Sequence, residues 1–198
     1  MLSFPRNTLI LATRNAGKVA EMERYLTGRG ITIRAADAAG LPDVPETGTT
    51  FIENARLKAA SGSRASGLAV LADDSGLRVD ALGGAPGVYT ADWAGPERNF
   101  AMAMARLRAE LRRSGGAPGA SFVSVLVLMW PDGREIIARG EVRGRIVFPR
   151  RGTGGFGYDS CFIPDGETKT FAEMTPVEKA RYSHRKRAID ALLAELDR

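Results

Sequence analysis

The sequence has one cysteine, one histidine and no long apolar run, and each scarcity removes a class of function. Cys161 has no second thiol to pair with. The chain is therefore not a disulfide-stapled scaffold, and it fits a reducing, cytoplasmic compartment. A lone cysteine reads as a small packing residue rather than a nucleophile. His184 is equally alone, and a lone histidine makes a poor metal site. No stretch approaches the roughly 18 apolar residues of a membrane span, so no membrane partner is expected. The opening MLSFPRNT lacks the charged and apolar regions of a signal peptide, so no leader is expected either. There is no internal repeat, zinc-ligand spacing, aromatic RNA-binding motif or recognition-helix signature. A nucleic-acid-binding module is left with only charge in its favour.

The charge itself is modest. There are 28 basic and 23 acidic residues, a net +5, which favours anionic partners such as nucleotides, nucleic acid or anionic surfaces. The cluster RLRAELRR (106–113) reads as a solvated helix face. The length of 198 residues suits one domain, 1–198, or two intimate lobes of it without a separable linker. The only Gly/Pro/Ser-rich break, RSGGAPGAS (113–121), is too short to separate domains.

Periodicity predicts a strand over 7–13 and a helix over 16–27, with Val19, Met22, Tyr25 and Leu26 on one face. A short strand follows at 31–35. Thr49 or Thr50 caps a helix of about 16 residues beginning FIENARLKAA, which Gly67 ends. LAVLAD (68–73) and GLRVDAL (76–82) read as two strands. A helix is expected over 98–113, with Phe100, Met104, Leu107 and Leu111 inward. SFVSVLVLMW and REIIARGEVRGRIVF flank the turn Pro131-Asp132-Gly133 and form a hairpin. SCFIP is a short strand. PVEKARYSHRKRAIDALLAEL is a helix that buries Ala188, Leu192, Leu193 and Leu196. The mixture predicts an α/β fold with a mixed sheet.

Five segments carry chemistry. LILATRNAGKVAEM (9–22) has the outline of a phosphate-binding loop, strand to Gly17-Lys18 to helix. A Walker A loop is excluded, because Ala12 stands where its first glycine belongs and Val19 where its Ser or Thr belongs. What remains is a helix N-terminus with free N–H groups, flanked by Thr13, Asn15 and Lys18. That is either an anion seat of another shape or a plain strand-to-helix turn. In ADDSG (72–76), strand alternation sends Asp73 and Asp74 in different directions. One carboxylate can then face a cleft and hold Mg²⁺, or the pair can simply form an Asx-type turn. PETGTTFIENARLKAA (45–60) places Glu46 in a loop and sets Asn54 and Lys58 on one helix face, while Glu53 suits a first-turn acid. RGTGGFGYDS (151–160) is either a flexible turn or a close backbone approach to a ligand, with Phe156 available to stack on a base. EKARYSHRKRA (178–188) puts His184 beside Arg185, donors suited to a carbonyl acceptor.

ATRNAGK, ETGTTFIENARLKA, ADDSGLRVDALGGAPGVYTADWAG, GTGGFGYD and EKARYSHR occur in this order over roughly residues 8–197. In that order and spacing the chain resembles the inosine triphosphate pyrophosphatase family, which acts on non-standard purine nucleotides. The resemblance implies an elongated mixed central sheet flanked by helices, with two lobes around a deep nucleotide-binding cleft. It also implies a homodimer, Mg²⁺ dependence, and hydrolysis of ITP, dITP and XTP to the monophosphate and pyrophosphate. By position, Thr13, Arg14, Asn15, Ala16, Gly17 and Lys18 correspond to the triphosphate loop. Glu46 and Asp74 correspond to metal ligands, with Asp74 also the proton acceptor. Ser75 matches a substrate contact and Lys58 a phosphate contact. Phe156, Gly157, Tyr158 and Asp159 match the base-binding loop, and Lys179, His184 and Arg185 further nucleotide contacts. A carboxylate tightly bound to metal is a poor base, so Asp73 can share that work. Arg185, His184 or backbone N–H groups would meet the oxygen at purine C6, which adenine lacks. A pyrophosphatase for modified pyrimidine nucleotides is the alternative enzymatic reading.

Overall fold

The computed structural model describes residues 8–198. Asn7, expected to open the first strand, and the rest of the opening segment lie outside the described residues. In chain order the elements are β1 (Thr8–Leu11), α1 (Ala16–Leu26), β2 (Thr32–Ala35), α2 (Phe51–Ser66), β3 (Val70–Val79), α3 (Phe100–Ser114), β4 (Gly119–Met129), β5 (Glu135–Ile146), β6 (Phe162–Pro164), α4 (Pro176–Ala180) and α5 (His184–Leu196). The strands form one six-stranded sheet in the order β2-β1-β3-β4-β5-β6. β1 runs parallel to both β2 and β3, whereas β5 and β6 are antiparallel. The sheet is mixed, as the alternation of helices with a long hairpin predicts.

The helix ends follow their capping residues. Thr50 accepts the Glu53 N–H, and the Glu53 carboxylate returns to the N–H groups of Thr49 (2.7 Å) and Thr50 (3.1 Å). Glu53 is therefore a cap, not a ligand. Gly67 closes the helix in the left-handed region at φ 66°, the conformation for which glycine carries no Cβ penalty.

Two expectations need correction. The strands expected at 68–73 and 76–82 are one continuous strand, β3, which runs straight through Ala72-Asp73-Asp74-Ser75-Gly76. Adjacent acids and a glycine are poor strand formers, but Asp73 is fully buried and ion-paired, which removes the cost of carrying it through the sheet. The helix expected over 176–196 is two helices. The N–H groups of Tyr182 and Ser183 both return to the Lys179 carbonyl, closing α4 in a tight turn before α5 starts at His184.

Packing divides the chain into two compact units. The first comprises the residues up to Asp74, Ser124–Gly140 and Arg185–Arg198; the second comprises Ser75–Val123 and Glu141–His184. The first unit buries Leu9 and Leu11 of β1, Met22 and Leu26 of α1, Leu71 of β3, Leu126 and Leu128 of β4, and Ala188, Leu192, Leu193 and Leu196 of α5. These are the positions picked out by periods of 2 and 3.6. The second unit buries Leu77, Val79, Met104, Leu107, Phe122, Phe162 and Phe171. Cys161 belongs to this core. Burial pushes its thiol up to about 12, so it is an inert packing residue, as its solitude suggested.

Candidate active site

In the first unit, the loop after β1 delivers the chain to the start of α1. Asn15 caps that helix, its side chain accepting the Lys18 N–H at 3.2 Å. The N–H groups of Ala16 and Gly17, in the same first turn, have no acceptor among the described residues and are free for an anion. Lys18 extends from this turn, and its Nζ reaches the Asp73 carbonyl and Asp73 Oδ1, each at 3.3 Å. Thr13 closes the loop by accepting the Asn15 N–H at 3.2 Å. Arg14 points elsewhere. Its guanidinium donates to Asp37 (2.7 Å), Asp43 (2.8 Å) and the Leu41 carbonyl (2.8 Å), so it tethers the segment leading to Glu46.

β3 separates the two acids as alternation requires. Asp73 is paired on both oxygens, Oδ1 with Lys18 and Oδ2 with Arg185 Nε at 2.5 Å. Burial alone would raise its pKa, but the Arg185 and Lys18 cations hold the carboxyl well below the usual range. A carboxylate so firmly ionised and so occupied is no proton acceptor, which removes Asp73 from the sharing suggested above. Asp74 is the opposite case. Burial, with the Glu46 carboxylate adding to it, pushes its pKa up to about 6, although Lys58 and Lys18 pull the other way. Its Oδ1 accepts from Lys58 at 3.1 Å, while its buried Oδ2 has no hydrogen-bond partner.

Lys58 completes the group from α2. Its Nζ donates to Glu46 Oε1 (3.0 Å), Asp74 Oδ1 (3.1 Å) and the Asp73 carbonyl (2.9 Å). Burial disfavours its charge, but Asp74 and Glu46 more than offset this and raise its pKa. Glu46 is similarly held below the usual carboxylate range, the Lys58 cation outweighing the effect of burial. Asn54, one turn before Lys58, fixes the loop by accepting the Gly48 N–H at 2.7 Å. Among the described residues, no group of three or more His, Cys, Asp or Glu side chains could hold a metal. Two carboxylates and an unsatisfied buried oxygen do fit a hard divalent cation that takes its remaining ligands from phosphate and water.

Arg185 is buried in this unit, bonded to Asp73 and to Glu21 of α1. Its Nε and Nη1 brace the cluster. Sequence reasoning overlooked Glu21. The available signal was its place three residues after Lys18, on the same helix face, beside the apolar Met22.

The other expected residues lie in the second unit. Phe156, Gly157, Tyr158 and Asp159 form one tight loop. Asp159 Oδ2 accepts the Phe156 N–H at 2.9 Å and pairs with Lys179 Nζ at 2.6 Å. The Lys179 ammonium also lies 5.0 Å from the centre of the Phe156 ring. Tyr158 packs edge-on to Phe100 of α3, and its hydroxyl donates to the Thr90 carbonyl at 3.3 Å. Here the glycines are required rather than flexible. A Cβ on Gly155 (φ 69°) would stand 2.1 Å from Asp159 Oδ2, and one on Gly152 (φ 80°) 2.4 Å from the backbone of Ala172. His184 is buried and stacked on Phe122, ring centres 5.0 Å apart. Ser75 is half-buried in β3.

Residues 9–195 match the Ham1 family. The chain belongs to the Ham1 family. Among Ham1 relatives, the dITP/XTP pyrophosphatase of Rhodospirillum centenum is 49% identical over 96% of this chain and 95% of its own length. That of Ruegeria pomeroyi is 48% identical, over 95% and 94% respectively. The solved structure of a HAM1 protein from Coxiella burnetii superposes with a TM-score of 0.88 at 36% identity, covering 96% of this chain and 98% of that one.

Proposed function

We propose that this Ham1 protein is a nucleoside triphosphate pyrophosphatase that hydrolyses non-standard purine nucleotides, dITP, XTP and ITP, to the monophosphate and pyrophosphate. The observation that carries the reading is the convergence of Lys18, at an anion-binding helix end, with Asp74, whose pKa is raised, and its neighbour Glu46. The names of the Rhodospirillum and Ruegeria relatives supply the substrate class.

In this reading Thr13 to Lys18 and Lys58 hold the triphosphate, through helix N–H groups and two ammonium cations. Glu46 and Asp74 would hold Mg²⁺, which when bound supplies charge neutralisation on the phosphates. Water adds to the α-phosphorus, and the bond to the bridging oxygen breaks to release pyrophosphate. The water's proton passes to Asp74. Before metal binds, this carboxyl titrates at about 6, more basic than an ordinary aspartate and ionised at neutral pH. Asp73 and Arg185 keep this arrangement rigid.

In the second unit, Phe156 to Asp159 take the base, with Phe156 as the stacking face. Lys179 and the backbone N–H groups of that loop replace Arg185 as the donors for the C6 oxygen. Ser75 serves as a substrate contact, and two copies pair as a homodimer, both on the strength of the family resemblance. The test is a panel of ITP, XTP, dITP, ATP, GTP and modified pyrimidine triphosphates, with and without Mg²⁺. Pyrophosphate release from the first three, dependent on Mg²⁺, is the expected result. Release of single phosphates, or preference for a pyrimidine, overturns the reading.

A further inference from the structure

The Lys58 ammonium has three protons, and all three are used, on Glu46, Asp74 and the Asp73 carbonyl. Its side chain is only 12% exposed. It therefore lies where a divalent cation would have to sit to use Glu46 Oε1 and Asp74 Oδ1 together. Lysine and metal cannot both occupy the position that bridges those two oxygens. A second cation within a few ångströms of a partly buried ammonium is repelled by about 4 kcal/mol per unit charge product at an effective dielectric of 20.

We propose that Lys58 is a resident counter-cation that keeps the metal position closed until a nucleotide arrives. Without nucleotide, Lys58 balances the two carboxylates, which would otherwise repel each other. A polyphosphate gives the ammonium a new set of acceptors, and Glu46 and Asp74 are then released together with the unsatisfied Asp74 Oδ2. Metal binding is thereby coupled to nucleotide binding rather than preceding it. A site of only two carboxylates suits that order, because it is incomplete without phosphate oxygens. The proposal rests on the reading of Glu46 and Asp74 as metal ligands.

The test is titration of the nucleotide-free protein with Mn²⁺, followed by calorimetry or by the electron paramagnetic resonance of free Mn²⁺. Lys58→Met should bind Mn²⁺ at least about tenfold more tightly than the wild type, while Lys58→Arg, which keeps the cation, should stay weak. The gain should vanish in the double variant Lys58→Met/Glu46→Gln. Equal or weaker binding by folded Lys58→Met overturns the proposal, as does a gain that survives Glu46→Gln. Should Lys58→Met not fold, Lys58→Gln carries the same comparison and keeps an amide donor for the Asp73 carbonyl. No nucleotide enters the titration. An enzyme inert towards every triphosphate would refute the functional reading while leaving the Mn²⁺ result to stand or fall by itself.

Discussion

The two units carry ion pairs of similar burial but use them differently. In the first, Asp73, Arg185 and Glu21 form a buried chain, and Lys18 and Lys58 gather around the Asp73 carbonyl. Charge is concentrated there, and one carboxyl, Asp74, is left with its pKa displaced upward and an oxygen unsatisfied. In the second, the Lys179–Asp159 pair is surrounded by rings, and Asp159 spends its charge on shaping a loop backbone. Buried charge that is fully satisfied holds shape, whereas buried charge left partly unsatisfied is available for chemistry. On the proposed reading, the first unit serves reaction at phosphate and the second holds a flat base.

Substitutions can break that contrast, beginning with the largest effect. Asp74→Asn should lower kcat by at least about a thousandfold, the scale of losing a general base together with a metal ligand. The same variant should be more stable at pH 7.5. The folded-state pKa of Asp74 lies above its ordinary 3.8, so the ionised form works against folding, a cost absent below 3.8 and fully present above about 6. Asn keeps an acceptor for Lys58 and removes the charge, so Tm should rise by about 3–8 °C. A calorimetric scan in which the variant melts lower would contradict this.

Asp73→Asn should do the reverse. Breaking a buried pair costs about 3–5 kcal/mol, and Tm should fall accordingly. Its lowered pKa gives stability that is complete above 3.8 and lost as pH falls through the folded value. Urea melts should therefore show the gap to wild type closing in acid; a constant gap would place the loss outside this ion pair.

In the second unit, Phe156→Ala should cost about 1–3 kcal/mol of binding, mostly in KM, and by the same factor for ITP and GTP. A loss confined to ITP in steady-state kinetics would mean that the ring discriminates as well as stacks. Tyr158→Phe removes only the long bond to the Thr90 carbonyl, so kcat/KM for ITP should change less than about threefold.

How much of this was legible in the sequence differs between the units for a physical reason. Caps and periodic faces are local, so α2 runs from its Thr50 cap to Gly67, and the inward faces of α1, α3 and α5 follow their spacing. The continuity of β3 was not legible, because it depends on Arg185, 112 residues away in sequence, paying for Asp73's burial. The role of Arg185 was hidden for the same reason. Its neighbour His184 suggested a pair of donors, whereas Glu21 and Asp73 turn it into a brace. Gly152 and Gly155 were visible as glycines, but their reason lies in Ala172 and Asp159, which close around them.

The division of labour is tested most directly by measuring kcat and KM for ITP and ATP, with Mg²⁺, on the wild type, Asp74→Asn and Phe156→Ala side by side. The account predicts that the wild type strongly prefers ITP, that Asp74→Asn loses kcat with KM for ITP largely kept, and that Phe156→Ala loses KM with kcat largely kept. A preference for ATP, or the two variants exchanging these signatures, would contradict it.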